Sequence, residues 1–452
     1  MKIQFLGATQ TVTGSKYLIQ TEHMRVLVDC GLFQGYKELR LRNWAPLPIN
    51  PATIDYVLLT HAHIDHSGYI PLLVKNGFRG KILCSDATEA LCKILLPDSG
   101  YLQEEEARYA NHKGYAKHHP SLPLYTQAEA VASLDYFQTI PFDKRLMLHD
   151  GFYCNFHYAG HILGAALIRV EHETISLLFS GDLGRLQDPV MHPPINPPES
   201  DYLVIESTYG DRLHDTTDPE RQLGDVINRT VKRGGIILIP AFAVGRTQSI
   251  LYYIHQLKTK NTIPDIPVFI DSPMATDATQ LFCKHAELHQ LTNQQSADVC
   301  QTANYVHSVD ESIALGNKRM PMIIISASGM ATGGRILHHL RNFAPDHRNT
   351  ILFSGFQAGG TRGDRIVRGE KELKMFGQMI PINAEVVQMA NTSAHADYQD
   401  ILTWLGHIKK TPRKVFITHG EESAARALKS KIEDTFHWDC KIPAYLDQVD
   451  LS

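Results

Sequence analysis

Short apolar runs alternate with helical patterns along the first half of the chain. Four early runs, bounded by Gly, Thr and Ser, predict strands at residues 3–6, 17–20, 25–29 and 54–59. A helix is predicted at 69–75, where Pro71 is tolerated in the first turn and Gly77 follows the last turn. Further apolar runs predict strands at 81–84, 152–158, 165–170, 174–180 and 201–206.

From about residue 209 the pattern changes to a regular alternation of strands and helices. Short β-branched runs predict strands at 236–240, 268–271, 322–326 and 351–355, and helical stretches follow at 245–257, 275–286 and 333–341. Such βα units are typical of a parallel sheet. We therefore predict an α/β protein in which one domain, formed by residues 1–208 and 383–452, receives a second α/β domain at residues 209–382.

The composition is that of a globular enzyme. The chain has 452 residues, 43% apolar and 20% charged, with a formal net charge of −4. This slight acidity argues against a protein that grips nucleic acid through bulk positive charge, but it leaves room for phosphate binding through metal ions and a few arginines.

The sequence also bears on location. It begins with too short an apolar run for a signal peptide and has no apolar stretch that would span a bilayer, so no membrane association is expected. Seven cysteines without a C-x-x-C pair predict neither a disulfide framework nor a cysteine zinc site. A cytoplasmic location is the simplest interpretation.

Histidine is unusual in both number and spacing. The chain has 24, and His61, His63 and His66 lie with Asp65 in the segment HAHIDH, directly after a predicted strand. Residues two apart at a strand end point the same way, so His61 and His63 can bind one ion together. Asp65 and His66 can face a second ion. Imidazole and carboxylate ligands suit zinc, although manganese or iron could occupy the same ligands.

Three further ligand candidates follow predicted strands. His161 comes after strand 152–158, Asp182 after strand 174–180 and His419 after a predicted strand at 414–418. Each alone is more often a cap or a surface group. Their common placement predicts that they meet at one rim of a sheet. By contrast, His112, His118 and His119 lie in a polar segment and are expected to be solvated.

The motifs HAHIDH, AGHILGAA and FSGDLG, together with Asp29, resemble the ordered motifs of the metallo-β-lactamase superfamily. The resemblance implies an αββα sandwich with two metal ions. It implies that one ion is bound by His61, His63 and His161, that the other is bound by Asp65, His66 and His419, and that Asp182 bridges them. Asp29 would orient a ligand imidazole; taken alone, it would be a strand-end cap.

Further motifs resemble the β-CASP branch of that superfamily, over essentially the whole chain. These are ESTYG at 206–210, PAFAVGR at 240–246 and SAHADY at 393–398. The match implies that Glu206, His395 and His419 are motifs A, B and C. Histidine at motif C is similar to RNA-processing members, such as bacterial and archaeal RNA-degradation proteins and the 73 kDa subunit of the cleavage and polyadenylation specificity factor.

The resemblance therefore implies a metal-dependent ribonuclease acting on single-stranded RNA in processing or degradation. Two zinc ions, with manganese or iron as alternatives, would activate a hydroxide for attack on phosphorus. Asp65 is assigned to the reaction as well as to the metal. His395 would protonate the leaving oxygen, and Glu206 would fix its tautomer. Because the chain ends at Ser452 without an appended module, RNA binding is expected to come from the cleft.

A glycine-rich segment in the insert is a candidate phosphate-binding loop. Ser326, Ser328 and Gly329 follow a predicted strand, and Arg335 precedes a helix, so backbone N–H groups and a guanidinium could meet an anion. A tight βα connection is an equal alternative. Arg246 and Arg362 are weaker candidates for contacts to RNA, and a surface salt bridge explains either one as well.

Several alternatives stay open. The chain could be a nuclease acting on single-stranded DNA, a metallohydrolase of another ester, or an inactive β-CASP scaffold, although all seven proposed ligands are present. Endonuclease and 5′-exonuclease activity are not separable from the sequence. The resemblance is compatible with a homodimer.

Overall fold

A computed structural model describes residues 1–113, 120–355 and 357–452. The chain forms two compact units. The first unit comprises residues 1–188, 192–213 and 395–452, and the second comprises residues 189–191 and 214–394. The second boundary differs from the predicted residue 383, because residues 385–389 form a strand that pairs in parallel with residues 350–354 and so extends the sheet of the insert.

The first part of the chain contains eleven described strands and five described helices. The strands are β1 Lys2–Phe5, β2 Tyr17–Gln20, β3 Arg25–Val28, β4 Tyr56–Leu58, β5 Lys81–Cys84, β6 Phe137–Thr139, β7 Leu146–His149, β8 Phe152–Tyr158, β9 Ala166–His172, β10 Ile175–Phe179 and β11 Tyr202–Glu206. The helices are α1 Lys37–Arg42, α2 Ile64–Ser67, α3 Ile70–Lys75, α4 Asp86–Lys113 and α5 Gln127–Ser133.

The insert and the C-terminal part follow. The insert has β12 Ile237–Pro240, β13 Val268–Ile270, β14 Asn304–Tyr305, β15 Ile323–Ser326, β16 Thr350–Ser354, β17 Glu372–Met375, β18 Gln378–Pro381 and β19 Glu385–Met389. Its helices are α6 Pro219–Lys232, α7 Arg246–Thr259, α8 Pro273–Lys284, α9 Asn293–Gln301, α10 Val309–Gly316, α11 Ile336–Phe343 and α12 Arg362–Val367. The chain then returns to the first unit with α13 Tyr398–Leu405, β20 Lys414–Thr418, α14 Glu422–Phe436, β21 Cys440–Lys441 and β22 Gln448–Asp450.

The first unit is a sandwich of two seven-stranded sheets. One sheet has the order β22-β1-β2-β3-β4-β5-β6, and the other has the order β21-β20-β11-β10-β9-β8-β7. Apolar side chains from both sheets, including Phe5 and Val28 from one and Phe156 and Phe179 from the other, form a single buried core. The predicted αββα architecture is confirmed.

The direction of the strands brings their carboxyl ends to common edges. In the second sheet β10, β11 and β20 are parallel, while β9 is antiparallel to both β8 and β10. Strands β8, β10, β11 and β20 therefore all end at the same edge. In the first sheet β3, β4 and β5 are also parallel. Segments that follow these strands are thus candidates to form one site.

The second unit is built on a six-stranded sheet with the order β14-β13-β15-β12-β16-β19, in which all pairings are parallel. Strands β12 and β15 are buried throughout, as expected for a sheet with helices on both faces. The predicted βα alternation is confirmed. An antiparallel hairpin of β17 and β18 was not predicted.

The cysteines differ in part from the expectation. Cys283 and Cys300, in the second unit, are joined by a disulfide, and five other cysteines are free and buried. The sequence contained no spacing signal for this pair. Among the described residues, no helix is long and apolar enough to cross a membrane. His112 is exposed near the end of α4, and His118 and His119 lie outside the described residues.

Candidate metal centre and catalytic pair

The predicted ligands come from segments that follow strands of the first unit. His61, His161 and Asp182 each lie three residues beyond the last residue of a strand, namely β4, β8 and β10, and His419 directly follows β20. His63, Asp65 and His66 lie at the start of α2, which follows β4. The structure brings all seven side chains together.

The predicted ligands fall into two groups. The first group is His61, His63, His161 and Asp182, whose ligand atoms lie within 4.8 Å of one another. His61 Nε2 is 3.1 Å from His63 Nδ1 and 3.3 Å from Asp182 Oδ2. His161 Nε2 is 3.5 Å from the same Asp182 oxygen. Two imidazoles thus face one carboxylate oxygen, and the third, His63, lies beside both of them.

The second group is Asp65, His66 and His419, again within 4.8 Å. The Nε2 atoms of His66 and His419 are 3.1 Å apart, and His419 Nε2 is 3.3 Å from Asp65 Oδ2. Asp182 Oδ1, the oxygen not used by the first group, is 3.2 Å from His66 Nε2 and 3.4 Å from His419 Nδ1. Asp182 therefore offers one oxygen to each group, which is the geometry of a bridging ligand.

The chemistry of these donors fits bound metal ions. Neutral imidazoles and carboxylates are the donors that zinc and similar ions prefer, and here five imidazoles and two carboxylates converge in two groups. Burial lowers the pKa of His61 to about 3 and that of His63 to about 4, so both are neutral at pH 7 and can donate a lone pair. Despite its burial, Asp182 has a pKa well below the usual range because histidines surround it, and it is ionised.

A buried carboxylate behind the ligands orients one of them. Asp29 Oδ2 accepts a hydrogen bond from His66 Nδ1 at 2.7 Å, which leaves Nε2 facing the other ligands. Thr60 donates its N–H to Asp29 Oδ1 at 2.8 Å, and its hydroxyl lies 3.0 Å from His61 Nδ1. Asp29 thus lies where a carboxylate can fix the orientation of the His66 ring. Thr60, directly before His61, was missed because a threonine at a strand end carries no distinctive signal.

The loop that carries Asp182 approaches Thr60 closely. Gly181 has φ +53°, and a Cβ at this position would lie 2.8 Å from Thr60 Cβ. A side chain there would push Asp182 away from the other ligands. The first glycine of the FSGDLG motif, Gly181, is therefore required by this close approach.

His419 is held from both sides. Its backbone N–H donates to Ala8 O at 2.7 Å, and its ring atom Nδ1 lies 3.1 Å from the hydroxyl of Thr208. Its backbone is left-handed, with φ +46°. Thr208 belongs to the ESTYG segment, but only the tertiary structure shows that it contacts this imidazole.

His395 and Glu206 form a pair beside the ligands. His395 Nδ1 lies 3.0 and 3.1 Å from the two carboxylate oxygens of buried Glu206. Although burial opposes it, the carboxylates of Glu206 and Asp182 raise the pKa of His395 to about 9. The ring centroids of His395 and His161 are 4.5 Å apart. His395 can therefore hold a proton next to the candidate metal ligands.

Backbone contacts fix this pair in the first unit. Glu206 Oε1 accepts the Leu183 N–H at 2.6 Å, and Ala396 N donates to Leu183 O at 2.8 Å. His395 also forms an isolated antiparallel bridge with Gly184. The segment after Asp182 thus positions Glu206 and His395 together.

The glycine-rich loop of the second unit is partly engaged in internal contacts. Ser326 is buried, and its hydroxyl donates to Asp271 O at 2.7 Å. The hydroxyls of Ser328 and Thr332 are 2.9 Å apart. A Cβ on Gly329 would lie 2.8 Å from the backbone nitrogen of Phe242, so this position requires glycine.

The three arginines differ in their surroundings. Arg335 donates to buried Asp271 Oδ1 at 2.7 Å and to the carbonyls of Val306 and His307. Arg246 is buried against Gly355. Arg362 is partly exposed and donates to Thr332 O at 2.9 Å. Asp271, which also accepts hydrogen bonds from Ser312 and His339, was missed as the anchor of this network.

The fold and these motifs define a class of protein. Three family models match successive parts of the chain: the metallo-β-lactamase superfamily at residues 11–216, the Beta-Casp domain at residues 247–366 and the Zn-dependent metallo-hydrolase RNA specificity domain at residues 379–443. The chain belongs to the β-CASP branch of the metallo-β-lactamase superfamily, and the predicted family is confirmed.

Relatives in this family cover nearly the whole chain. It is 34% identical to ribonuclease TTHA0252 of Thermus thermophilus over 437 residues, 95% of each protein. It is 31% identical to transcription termination factor FttA of Methanosarcina mazei, covering 96% of this chain and 69% of that protein. It is 28% identical to Integrator complex subunit 11 of Gallus gallus, covering 98% and 73%.

A solved structure from Enterococcus faecalis V583, described as a protein of unknown function, is similar in fold. It has a TM-score of 0.55 and 12% identity, and the match covers 100% of this chain and 99% of that one.

Proposed function

We propose that this protein is a metal-dependent ribonuclease that hydrolyses phosphodiester bonds of single-stranded RNA. The observation that carries the proposal is the shared carboxylate of Asp182, which lies between two histidine-rich ligand groups, with the His395–Glu206 pair beside them. The similarity to a ribonuclease over 95% of the chain supports the choice of substrate.

Two zinc ions are the metals that we propose, with manganese or iron as alternatives for the same ligands. His61, His63 and His161 would hold one ion, Asp65, His66 and His419 would hold the other, and Asp182 would contact both. When bound, two such ions lower the pKa of water and neutralise negative charge on the phosphate. Asp65 is partly exposed, with 21% of its side chain accessible, so it lies on the side that substrate can reach.

His395 is the proposed proton donor to the leaving oxygen of the ribose. Its Nδ1 is held by Glu206, so the other ring nitrogen, Nε2, is the atom that can deliver a proton. The Glu206 carboxylate keeps the ring protonated and in one orientation. The Leu183 N–H in turn fixes this carboxylate.

We propose that Ser328, Gly329 and Arg362 contact the RNA phosphates. Ser326 and Arg335 are no longer proposed for this role, because their side chains are hydrogen-bonded to Asp271 within the second unit. Arg246, which is buried, stays a weaker candidate. A cytoplasmic location and a homodimer remain predictions.

The test combines metal analysis with digestion of a long single-stranded RNA labelled separately at its 5′ and 3′ ends. We expect two metal ions per chain and metal-dependent cleavage, and the two labels distinguish internal cuts from removal of 5′ nucleotides. Asp182→Ala should lose both metal and activity, whereas Asp310→Ala, at an exposed position of α10, serves as the matched control. Cleavage of single-stranded DNA but not RNA, or no cleavage by the fully metal-loaded protein, would refute the proposal.

A further inference from the structure

Helix α1 and its flanking residues expose an unusual set of side chains on the first unit. Tyr36, Leu41 and Trp44 are 51%, 55% and 56% exposed, and Lys37 and Arg40 are exposed beside them. We call these five residues the α1 patch. Helix α1 has no buried residue at all. Single exposed apolar residues are ordinary, but here two aromatic rings and a leucine lie together with two cations within residues 36–44, and such a cluster is a candidate binding surface.

The contrast with the other tryptophans is sharp. The chain has three tryptophans, and Trp404 and Trp438 are only 1% and 6% exposed. Trp404 donates its indole N–H to Ile195 O, and Trp438 stacks on Phe436. Trp44 alone among the three presents its ring to solvent.

The backbone beneath the patch is well anchored. Asn43 is buried, donates to Phe33 O at 2.8 Å and accepts the Phe33 N–H at 2.9 Å. The Arg42 guanidinium lies 4.2 Å from the ring centroid of Tyr445 and 5.4 Å from that of Phe33. These contacts hold α1 in place, so the exposed Tyr36 and Trp44 are carried by an anchored part of the backbone.

The same residues connect the patch to the metal centre. The Phe33 ring packs directly on Gly14, since a Cβ there would lie 2.6 Å from a ring carbon. Gly14 belongs to the loop at residues 7–15. In this loop Ala8 O accepts the N–H of His419, and Ser15 N donates to the carbonyl of Asp65. The loop at residues 7–15 therefore contacts two predicted metal ligands, His419 and Asp65, and also Phe33, which packs beneath the α1 patch.

The charge of the patch favours a polyanion. Residues 36–44 carry Lys37, Arg40 and Arg42 against Glu38, a net charge of +2 in a chain whose net charge is −4. Among the described residues, Lys37 and Arg40 have no carboxylate within ion-pairing distance. Unpaired cations interleaved with exposed aromatic rings are the combination that binds single-stranded nucleic acid, because rings stack on bases and cations neutralise phosphates.

We propose that the α1 patch is an RNA-binding subsite outside the cleavage centre, in which Tyr36 and Trp44 stack bases of single-stranded RNA and Lys37 and Arg40 contact its phosphates. This inference rests on the proposed function, because it takes RNA as the ligand. It adds a place on the first unit that holds the substrate beyond the bond that is cut.

Binding is measured by fluorescence anisotropy of a 5′-labelled 20-nucleotide oligouridylate in EDTA, with the full-length protein. Trp44→Ala and Tyr36→Ala should each raise Kd about tenfold, because each removes a ring that stacks on one base. Trp44→Phe should retain most of the affinity. Lys37→Ala and Arg40→Ala should each reduce the slope of log K against log salt by about 0.7.

The control is Tyr101→Ala, which removes a similarly exposed aromatic ring, 44% accessible, from α4. Its Kd should equal that of the wild type. Tryptophan emission gives an independent readout, because RNA that stacks on Trp44 quenches an exposed indole while the two buried ones are shielded. This quenching should disappear in Trp44→Phe.

Three outcomes would overturn the inference. Wild-type affinity in both Trp44→Ala and Tyr36→Ala would remove the stacking role. Dissociation of a dimer by these substitutions, with Kd unchanged, would make the patch a contact between two copies. If the metal-loaded wild type neither binds nor cleaves RNA, the proposed function fails, and this inference fails with it. If the Trp44 and Tyr36 variants cleave RNA and bind it with the wild-type Kd, only this inference is refuted.

Discussion

The proposed role of His395 makes a prediction about the leaving group. Replacing His395 by alanine removes the proton donor, and loss of a general acid typically costs about 10²–10⁴-fold in rate, or roughly 3–5 kcal/mol in the barrier. This cost should apply to RNA, whose leaving alkoxide needs a proton. It should largely vanish for bis(p-nitrophenyl) phosphate, because nitrophenolate leaves without one.

The contacts of Glu206 predict a second, smaller loss of kcat when this carboxylate is replaced. Glu206→Gln removes a charge that lies 3.0–3.1 Å from His395 Nδ1 and that also accepts the Leu183 N–H at 2.6 Å. A hydrogen bond to a charged group contributes about 1.5–3 kcal/mol, so kcat on RNA should fall about 10- to 150-fold. The double variant should be no slower than His395→Ala alone, since Glu206 acts through His395.

The assay measures kcat on both substrates together with metal content. His407→Ala, at an exposed position after α13, is the matched histidine control and should leave both unchanged. Equal losses on RNA and on the activated diester would refute the proton-donor role. Loss of metal in His395→Ala would instead make His395 a ligand.

Three further predictions concern the supports of the site. Asp29→Ala should weaken metal affinity about 10–100-fold, because His66 loses the partner that orients it; unchanged affinity in a chelator titration would contradict this. Burial lowers the pKa of Lys16 to about 8 from its usual 10.5, so the folded chain binds fewer protons between these values than the unfolded chain. The wild type should therefore gain about 3 kcal/mol of stability relative to Lys16→Met from pH 8 to pH 10.5 in urea unfolding, and a constant difference would refute the assignment. Gly329→Ala should destabilise the second unit by about 1–3 kcal/mol in thermal unfolding, because the new Cβ would lie 2.8 Å from Phe242 N. Gly333→Ala is the control and should leave the stability unchanged, because nothing lies within 4 Å of a Cβ at that position.

Some expectations depended on local patterns and agree with the structure. The apolar run before HAHIDH forms β4, and the strands before His161, Asp182 and His419 form β8, β10 and β20. Strands β4 and β20 pair in parallel on both sides, and burial of both faces demands a continuous apolar run. Strand β8 pairs antiparallel on both sides, and its buried and partly buried residues alternate. The spacing within HAHIDH is equally local, since a few bonds limit where neighbouring side chains can point.

Other features could not be read from local patterns. The last strand of the insert, β19, reads like any apolar run, and only its pairing with β16 assigns it to the second unit. The engagement of Arg335 by Asp271 spans 64 positions in the sequence, so the spacing of neither residue reveals it. Tyr36 and Trp44 are large aromatic residues of the kind that usually lie in a core, and only the tertiary structure shows that they are exposed.

The amino-acid sequence by itself determined the family, the order of the strands along the chain and the chemical types of the candidate metal ligands, because those are properties of short segments. The tertiary structure alone decided that the two oxygens of Asp182 face different histidine groups and that Thr60, Thr208 and Leu183 hold the site in place. The physical reason is distance along the chain. Those contacts join segments that only the pairing and packing of the sheets bring within a few ångströms.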